Sequence, residues 1–257
     1  MKLVSTLIVI AVVALTAACS KPAPTAAPAP AASADKEAAV ATNTSDLTTD
    51  LAGFVDAALA ELDRIPEERR KRLGELAAYV AERTEAEQPV RLTFICTHNS
   101  RRSHLSQIWA QTAAHVFGID GVETYSGGTE ATAFNPRAVA AVKRAGFLVD
   151  DSEESDNPVV RVRFASGGAP MECFSKVYDQ PPNPTEGFAA VMTCSDADAA
   201  CPIVFGAEAR IAVPYDDPKA ADGTEHEAQA YDERCRQIAR EMLYAFREAR
   251  SRLSRPT

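Results

Sequence analysis

The sequence predicts an α/β fold, a parallel four-stranded sheet with helices on both faces, preceded by a helical pair. Three observations predict it. From residue 90 onward, short apolar segments of strand length alternate with longer amphipathic ones, the pattern of strand–helix units that assemble a parallel sheet. Residues 47–87 instead repeat their apolar positions every three or four residues throughout, which is helical spacing. The chain has 257 residues, 46% of them hydrophobic, enough for one well-cored domain with appendages.

The elements follow in order. Residues 1–19 read as a signal peptide: Lys2 gives a positive start, Leu3 to Ala18 is an unbroken run of apolar or small residues, and Cys19 follows. Such a run is short for a membrane span and suits a signal core. Leu15-Thr16-Ala17-Ala18-Cys19 resembles a bacterial lipobox, which implies lipidation of Cys19 and anchoring of an exported chain on the periplasmic side. Residues 20–46 are dominated by Ala, Pro, Ser and Thr and read as a disordered spacer. The helical pair, 47–87, carries Leu47, Leu51, Phe54, Val55, Ala58 and Leu62 on one helix. Pro66 opens the second, whose stripe is Leu73, Leu76, Ala77 and Val80. This pair is expected to pack on the main domain; a lid or partner-binding hairpin is the alternative.

Residues 90–254 form the expected catalytic domain. Val90 to Ile95, Val122 to Tyr125, Phe188 to Thr193 and Arg210 to Val213 read as its strands, and Ser103 to Phe117, Pro136 to Ala145 and Glu225 to Leu253 as its main helices. Between the second helix and the third strand, Val160, Val162 and Phe164 alternate with arginines and Gly167-Gly168 follows, which predicts an inserted hairpin.

The net charge of -9 excludes a broad nucleic-acid footprint, which needs a basic face. An anionic substrate then needs a local site. Cys96-Thr97-His98-Asn99-Ser100-Arg101-Arg102-Ser103 lies between a strand and a helix. A loop at a helix N-terminus aims several N–H groups at one point, where they bind an anion and favour a thiolate. Arg102, six residues after Cys96, closes that ring and grips two oxygens of a tetrahedral anion. Ser103 donates to the sulfur, and the Cys96 thiolate attacks the central atom. Displacement also needs an acid; Asp217, stiffened by Pro218, is the candidate and Asp216 the rival. Cys173, Cys235, His104, His115 and His226 show no metal-ligand spacing, so no metal or other cofactor is expected. His98 tunes or shapes the loop.

Cys96 to Ser103, Asn135-Pro136 and Asp217-Pro218 together resemble the low-molecular-weight protein tyrosine phosphatase superfamily, which includes the thioredoxin-coupled arsenate reductases. The resemblance covers roughly Val90 to Arg252. It implies Cys96 as nucleophile, Arg102 as oxyanion clamp, Asn99 as loop organiser, Ser103 as thiolate stabiliser and Asp217 as general acid. Thr97, His98, Ser100 and Arg101 complete the loop. His98 stands where many members have glycine, and Arg101 adds a second positive charge. The run Cys194-Ser195-Asp196-Ala197-Asp198-Ala199-Ala200-Cys201-Pro202 resembles the redox segment of the reductases. It implies that Cys194 attacks the Cys96–arsenic adduct and that Cys201 resolves the resulting disulfide for a thioredoxin-like dithiol donor; a disulfide stapling the loop is the structural alternative. A phosphatase acting on phosphate esters needs neither thiol, and its relatives carry tyrosines near Asp-Pro for stacking, where this chain has Tyr215 alone. The expected function is arsenate reduction, with phosphate-ester hydrolysis and oxyanion binding without turnover as alternatives.

Overall fold

A computed structural model describes residues 40–151, 153–200 and 203–254. The expected signal segment, Cys19, most of the spacer and Cys201 lie outside them. In chain order the described residues form α1 (Thr49–Leu59), α2 (Glu67–Glu85), β1 (Val90–Cys96), α3 (Arg102–Val116), β2 (Val122–Gly128), α4 (Pro136–Arg144), β3 (Leu148–Asp150), β4 (Val160–Arg163), β5 (Met171–Cys173), β6 (Phe188–Met192), α5 (Ser195–Ala200), β7 (Ala207–Ala212) and α6 (Glu227–Leu253).

The main sheet is parallel throughout, in the order β2-β1-β6-β7. The central strands β1 and β6 are almost wholly buried and correspondingly read as continuous apolar runs. β7, at the edge, alternates between half-buried and exposed positions from Ala207 to Arg210 before Ile211 turns into the core. The chain leaves β1 for one neighbour, β2, and returns to its other neighbour, β6. That reversal opens a crevice beyond the C-terminal end of β1, where open α/β sheets bind their ligands.

Period-two alternation sends neighbouring side chains to opposite faces. Ala189 and Val191 join one apolar cluster, with residues of α1, α2, α3, α4 and α6. Phe188, Ala190 and Met192 join a second, smaller cluster with Cys96, Cys194 and Ala197 of α5. Helices thus cover both faces, five on one side and the short α5 on the other.

The helical pair belongs to the larger cluster: Leu51, Val55, Leu73, Leu76 and Val80 are fully buried beside Leu92, Phe94 and Trp109. Thr48 caps α1 by accepting from Leu51 N, and its hydroxyl donates to Gly146 O at 2.6 Å. Gly146 is needed there, because its φ is +100° and an added Cβ would sit 2.4 Å from Leu51 N. Phe54 of α1 stacks on Trp109 of α3, with ring centres 5.2 Å apart.

The inserted hairpin is β4–β5, antiparallel, and β3 adds a third strand in the order β3-β4-β5. β3 has three residues, two of them exposed, too few for alternation to announce. β7 starts at Ala207, earlier than the expected Arg210, and Val213 lies beyond its end. Among the described residues no helix is long and apolar enough to cross a membrane.

Candidate active site

β1 delivers Cys96 to the crevice and α3 begins at Arg102, so the loop between them turns at a helix N-terminus. Cys96 is buried, and its Sγ lies 3.1 Å from Ser103 Oγ. Asn99 adopts φ +42°, a left-handed conformation that asparagine tolerates better than most residues. Its side chain, fully buried, braces the loop in two directions: Nδ2 donates to Ser103 Oγ at 2.9 Å, and Oδ1 accepts from Lys176 N at 2.9 Å.

Four of the loop carbonyls, those of Cys96, Thr97, His98 and Ser100, are turned to the scaffold. Thr129 N donates to Cys96 O at 3.1 Å, Glu130 N to Thr97 O at 2.8 Å, and Asn135 N to Ser100 O at 2.8 Å. The hydroxyls of Thr132 and Ser175 each donate to His98 O at 3.1 Å. In a trans peptide the following N–H points the opposite way, so the N–H groups of Thr97, His98, Asn99 and Arg101 face away from these anchors. Among the described residues no acceptor takes them. Donors so arranged form a cradle for an oxyanion. Gly128 makes the close approach possible: a Cβ there would lie 2.2 Å from Glu130 O, 2.6 Å from Asn99 N and 2.7 Å from Thr97 O. The pair Gly127-Gly128 at a strand end was the sequence signal for this contact.

Arg102 is buried and forked. Nη1 donates to Tyr215 O at 3.0 Å and Nη2 to Asp217 Oδ2 at 2.9 Å, while Nε–H is buried with no protein partner among the described residues. An anion in the cradle would supply that partner. Asp217 also accepts from Lys219 N through Oδ1, so the Asp-Pro turn fixes its carboxylate beside the guanidinium. The rival Asp216 points to solvent, with its side chain 98% exposed. Arg101 is not loose: Nε donates to Tyr231 OH at 2.8 Å, and the guanidinium lies 3.6 Å from Asp222 and 3.9 Å from Asp217. Its charge is thereby matched by carboxylates. His98 is exposed, 3.7 Å from Glu130.

Beneath the loop, His104 is fully buried; burial foremost, with Lys176 adding to it, holds its pKa well below 6.5. The ring is neutral at physiological pH, and Nδ1 lies 3.0 Å from Ser126 Oγ. Burial also lowers the Lys176 amine to about 8. No group of three or more His, Cys, Asp or Glu side chains among the described residues is placed to hold a metal.

Cys194 follows β6. The β1–β6 register pairs Ile95 with Met192, so Cys194 falls level with Thr97, one strand spacing away. Its Sγ lies 3.5 Å from Thr97 Oγ1 and accepts from Ala197 N at 3.3 Å. Cys96 and Cys194 are both free thiols in one apolar cluster. Cys173 and Cys235 are buried thiols elsewhere, raised to about 12 by burial first of all. The expected loop residues, Asp217 and Cys194 therefore meet at one end of the sheet. Tyr215 does not present a stacking surface: it is buried, with Arg69 4.5 Å from its ring centre.

The family described as low molecular weight phosphotyrosine protein phosphatase matches residues 91–157. An arsenate reductase of Bacillus licheniformis is 33% identical over 156 residues, 60% of this chain and 93% of that protein. The arsenate reductase of Bacillus subtilis is 30% identical over 157 residues, with the same coverage of 60% and 93%. Among solved structures, a low molecular weight phosphotyrosine phosphatase of Vibrio cholerae is 12% identical, with a TM-score of 0.41 over 60% of this chain and 93% of that one. Matched along nearly the whole length of its arsenate reductase relatives, the chain belongs to the low-molecular-weight phosphotyrosine phosphatase superfamily, close to those reductases, and is an enzyme of one of these two kinds.

Proposed function

We propose that the protein is a dithiol-dependent arsenate reductase. Cys194 carries this reading, as a buried free thiol set 3.5 Å from the Thr97 hydroxyl of the oxyanion loop. Hydrolysis has no use for it. The burial of Tyr215 also removes the aromatic platform that a phosphotyrosine substrate would stack on.

In the proposed cycle the loop N–H groups and Arg102 bind arsenate, and the Cys96 thiolate attacks arsenic. One oxygen leaves as water with a proton from Asp217, giving a Cys96–S–As(V) adduct. Ser103 stabilises the thiolate, and Asn99 holds the loop. The Cys194 thiolate then attacks Cys96 Sγ. The S–S bond forms, the S–As bond breaks with its electron pair moving to arsenic, and arsenite departs as As(III). Cys201 attacks Cys194, frees Cys96 and leaves a Cys194–Cys201 disulfide, which a thioredoxin-like dithiol protein reduces. The second reading, phosphate-ester hydrolysis through a cysteinyl-phosphate, draws on the same Cys96, Arg102 and Asp217, and the family match favours it.

Steady-state assay of the purified protein with arsenate and a dithiol protein, beside a chromogenic phosphate ester, separates the two. Arsenate turnover is expected to dominate; efficient ester hydrolysis with no arsenate turnover overturns the reductase reading. We further propose export, with residues 1–19 as signal, Cys19 as the lipidated anchor and residues 20–46 as spacer, whose last residues are tied to the domain by Asn43 N donating to Val116 O at 2.7 Å and by Asp46 2.9 Å from His115. Support comes from Lys2, the apolar run to Ala18 and the lipobox-like end. Mass spectrometry of the membrane fraction should find a mature chain starting at acylated Cys19; an unmodified N-terminus beyond Cys19 refutes the anchor.

A further inference from the structure

The loop that carries Asp217 is held from two sides. On one side, Arg102 donates to Tyr215 O and to Asp217. On the other stands Arg69, a residue of α2 in the helical pair. Its Nη1 donates to Pro214 O at 2.7 Å, and its guanidinium lies over the Tyr215 ring, 4.5 Å from the centre. Its Nε donates to Glu241 Oε2 at 2.8 Å, and Nη2 lies 2.7 Å from the same oxygen. Glu241, on α6, is 1% exposed and also accepts from Gln237 Nε2 through Oε1. A guanidinium that makes a carbonyl bond, a carboxylate bond and a ring contact at once leaves its neighbours little freedom.

We propose that Arg69 is a positioning residue for the Pro214–Asp217 loop and, through Tyr215 O and Asp217, for the Arg102 clamp. The proposal rests on the reading of Arg102 as clamp and Asp217 as acid. Buried ion pairs are weak sources of net stability, because desolvation offsets much of their attraction; a fixed geometry is what this one supplies. Pro214 contributes its carbonyl and no competing N–H. Tyr215 is tied further by Tyr215 N donating to Thr193 O at 3.0 Å, next to Cys194. On this account the helical pair is part of the catalytic apparatus as well as of the core.

The experiment uses the full chain, with Arg69→Met, Arg69→Lys, Glu241→Gln, Asp217→Asn and Arg102→Ala. Turnover of a phosphate ester with a poor leaving group is compared with one whose leaving group needs no proton. In parallel, inorganic phosphate is titrated as a protectant of Cys96 against iodoacetamide, read by peptide mass. A displaced acid should cost Arg69→Met about 10- to 100-fold in kcat on the poor leaving group and much less on the good one. A loosened Arg102 should weaken phosphate protection roughly tenfold. In leaving-group dependence, Arg69→Met with Asp217→Asn should be no worse than Asp217→Asn alone, and Arg69→Lys should recover part of the loss. Folded Arg69→Met or Glu241→Gln protein with wild-type leaving-group dependence and wild-type phosphate protection overturns the role of Arg69. If Arg69→Met fails to fold, Arg69→Lys and Glu241→Gln decide by the same two readouts. If Arg102→Ala and Asp217→Asn themselves leave both readouts unchanged, the underlying reading of clamp and acid falls instead.

Discussion

Replacing Arg102 with lysine keeps the charge and removes the fork. In the structure three arms of the guanidinium have separate tasks: Nη1 meets Tyr215 O at 3.0 Å, Nη2 meets Asp217 at 2.9 Å, and Nε remains for the anion. One ammonium nitrogen on a shorter reach cannot serve all three. At least one charge-assisted bond to the anion is lost, about 1.5–3 kcal/mol, or roughly 10- to 150-fold in kcat/KM. The buried Tyr215 carbonyl also loses its charged donor, which should lower stability by about 1–3 kcal/mol. Steady-state kinetics with whichever oxyanion the wild type turns over, alongside thermal unfolding, measures both effects. An Arg102→Lys variant within twofold of wild-type kcat/KM would refute the argument that the fork, rather than the charge, holds the substrate.

Two further perturbations test the frame around the loop. Gly128→Ala places a Cβ against three backbone atoms of the loop region, the nearest at 2.2 Å. It should cost about 1–3 kcal/mol of stability and most of the activity; an active variant with unchanged melting temperature contradicts the close approach. Lys176→Met tests a buried ammonium. With its pKa at about 8 in the fold, against 10.5 for the ordinary group, the folded state binds fewer protons than the unfolded state between those values. The wild type should therefore gain stability relative to Lys176→Met as pH rises from about 8 to 10.5 and lose that gain below 8. Urea unfolding of both proteins across this range checks the sign, and a constant difference would show that the amine is not desolvated.

Features legible in the sequence were those coded by local spacing. β1, the loop and α3 are contiguous, so the switch from an apolar run to a helix at Arg102 is visible without tertiary information. The three-stranded β3-β4-β5 sheet was half visible, because Val160 and Val162 alternate over β4 while β3 spans three residues. Asp216 and Asp217 looked alike in sequence; only the fold sends one to solvent and the other to Arg102. Tyr215 stood out in sequence only as the lone tyrosine near Asp-Pro, and packing against Arg69 buries it. That contact joins residues 146 positions apart in a helix and a loop, and no local periodicity encodes it. The loop anchors Thr132, Ser175 and Lys176 N were invisible for the same reason: their role depends on where the chain returns.

The relay of thiols is tested most directly by Cys201→Ala. A stoichiometric amount of reduced variant is mixed with arsenate, arsenite release is quantified, and the cysteine pairing is mapped by mass spectrometry. Cys96 can still attack arsenic and Cys194 can still release arsenite, so the account predicts close to one arsenite per protein, then arrest as a Cys96–Cys194 disulfide. Phosphate-ester hydrolysis under reducing conditions, if the wild type has it, should pass through the mutation almost unchanged. Repeated arsenate turnover by this variant with a dithiol protein donor, or arrest without the Cys96–Cys194 disulfide, would contradict the relay.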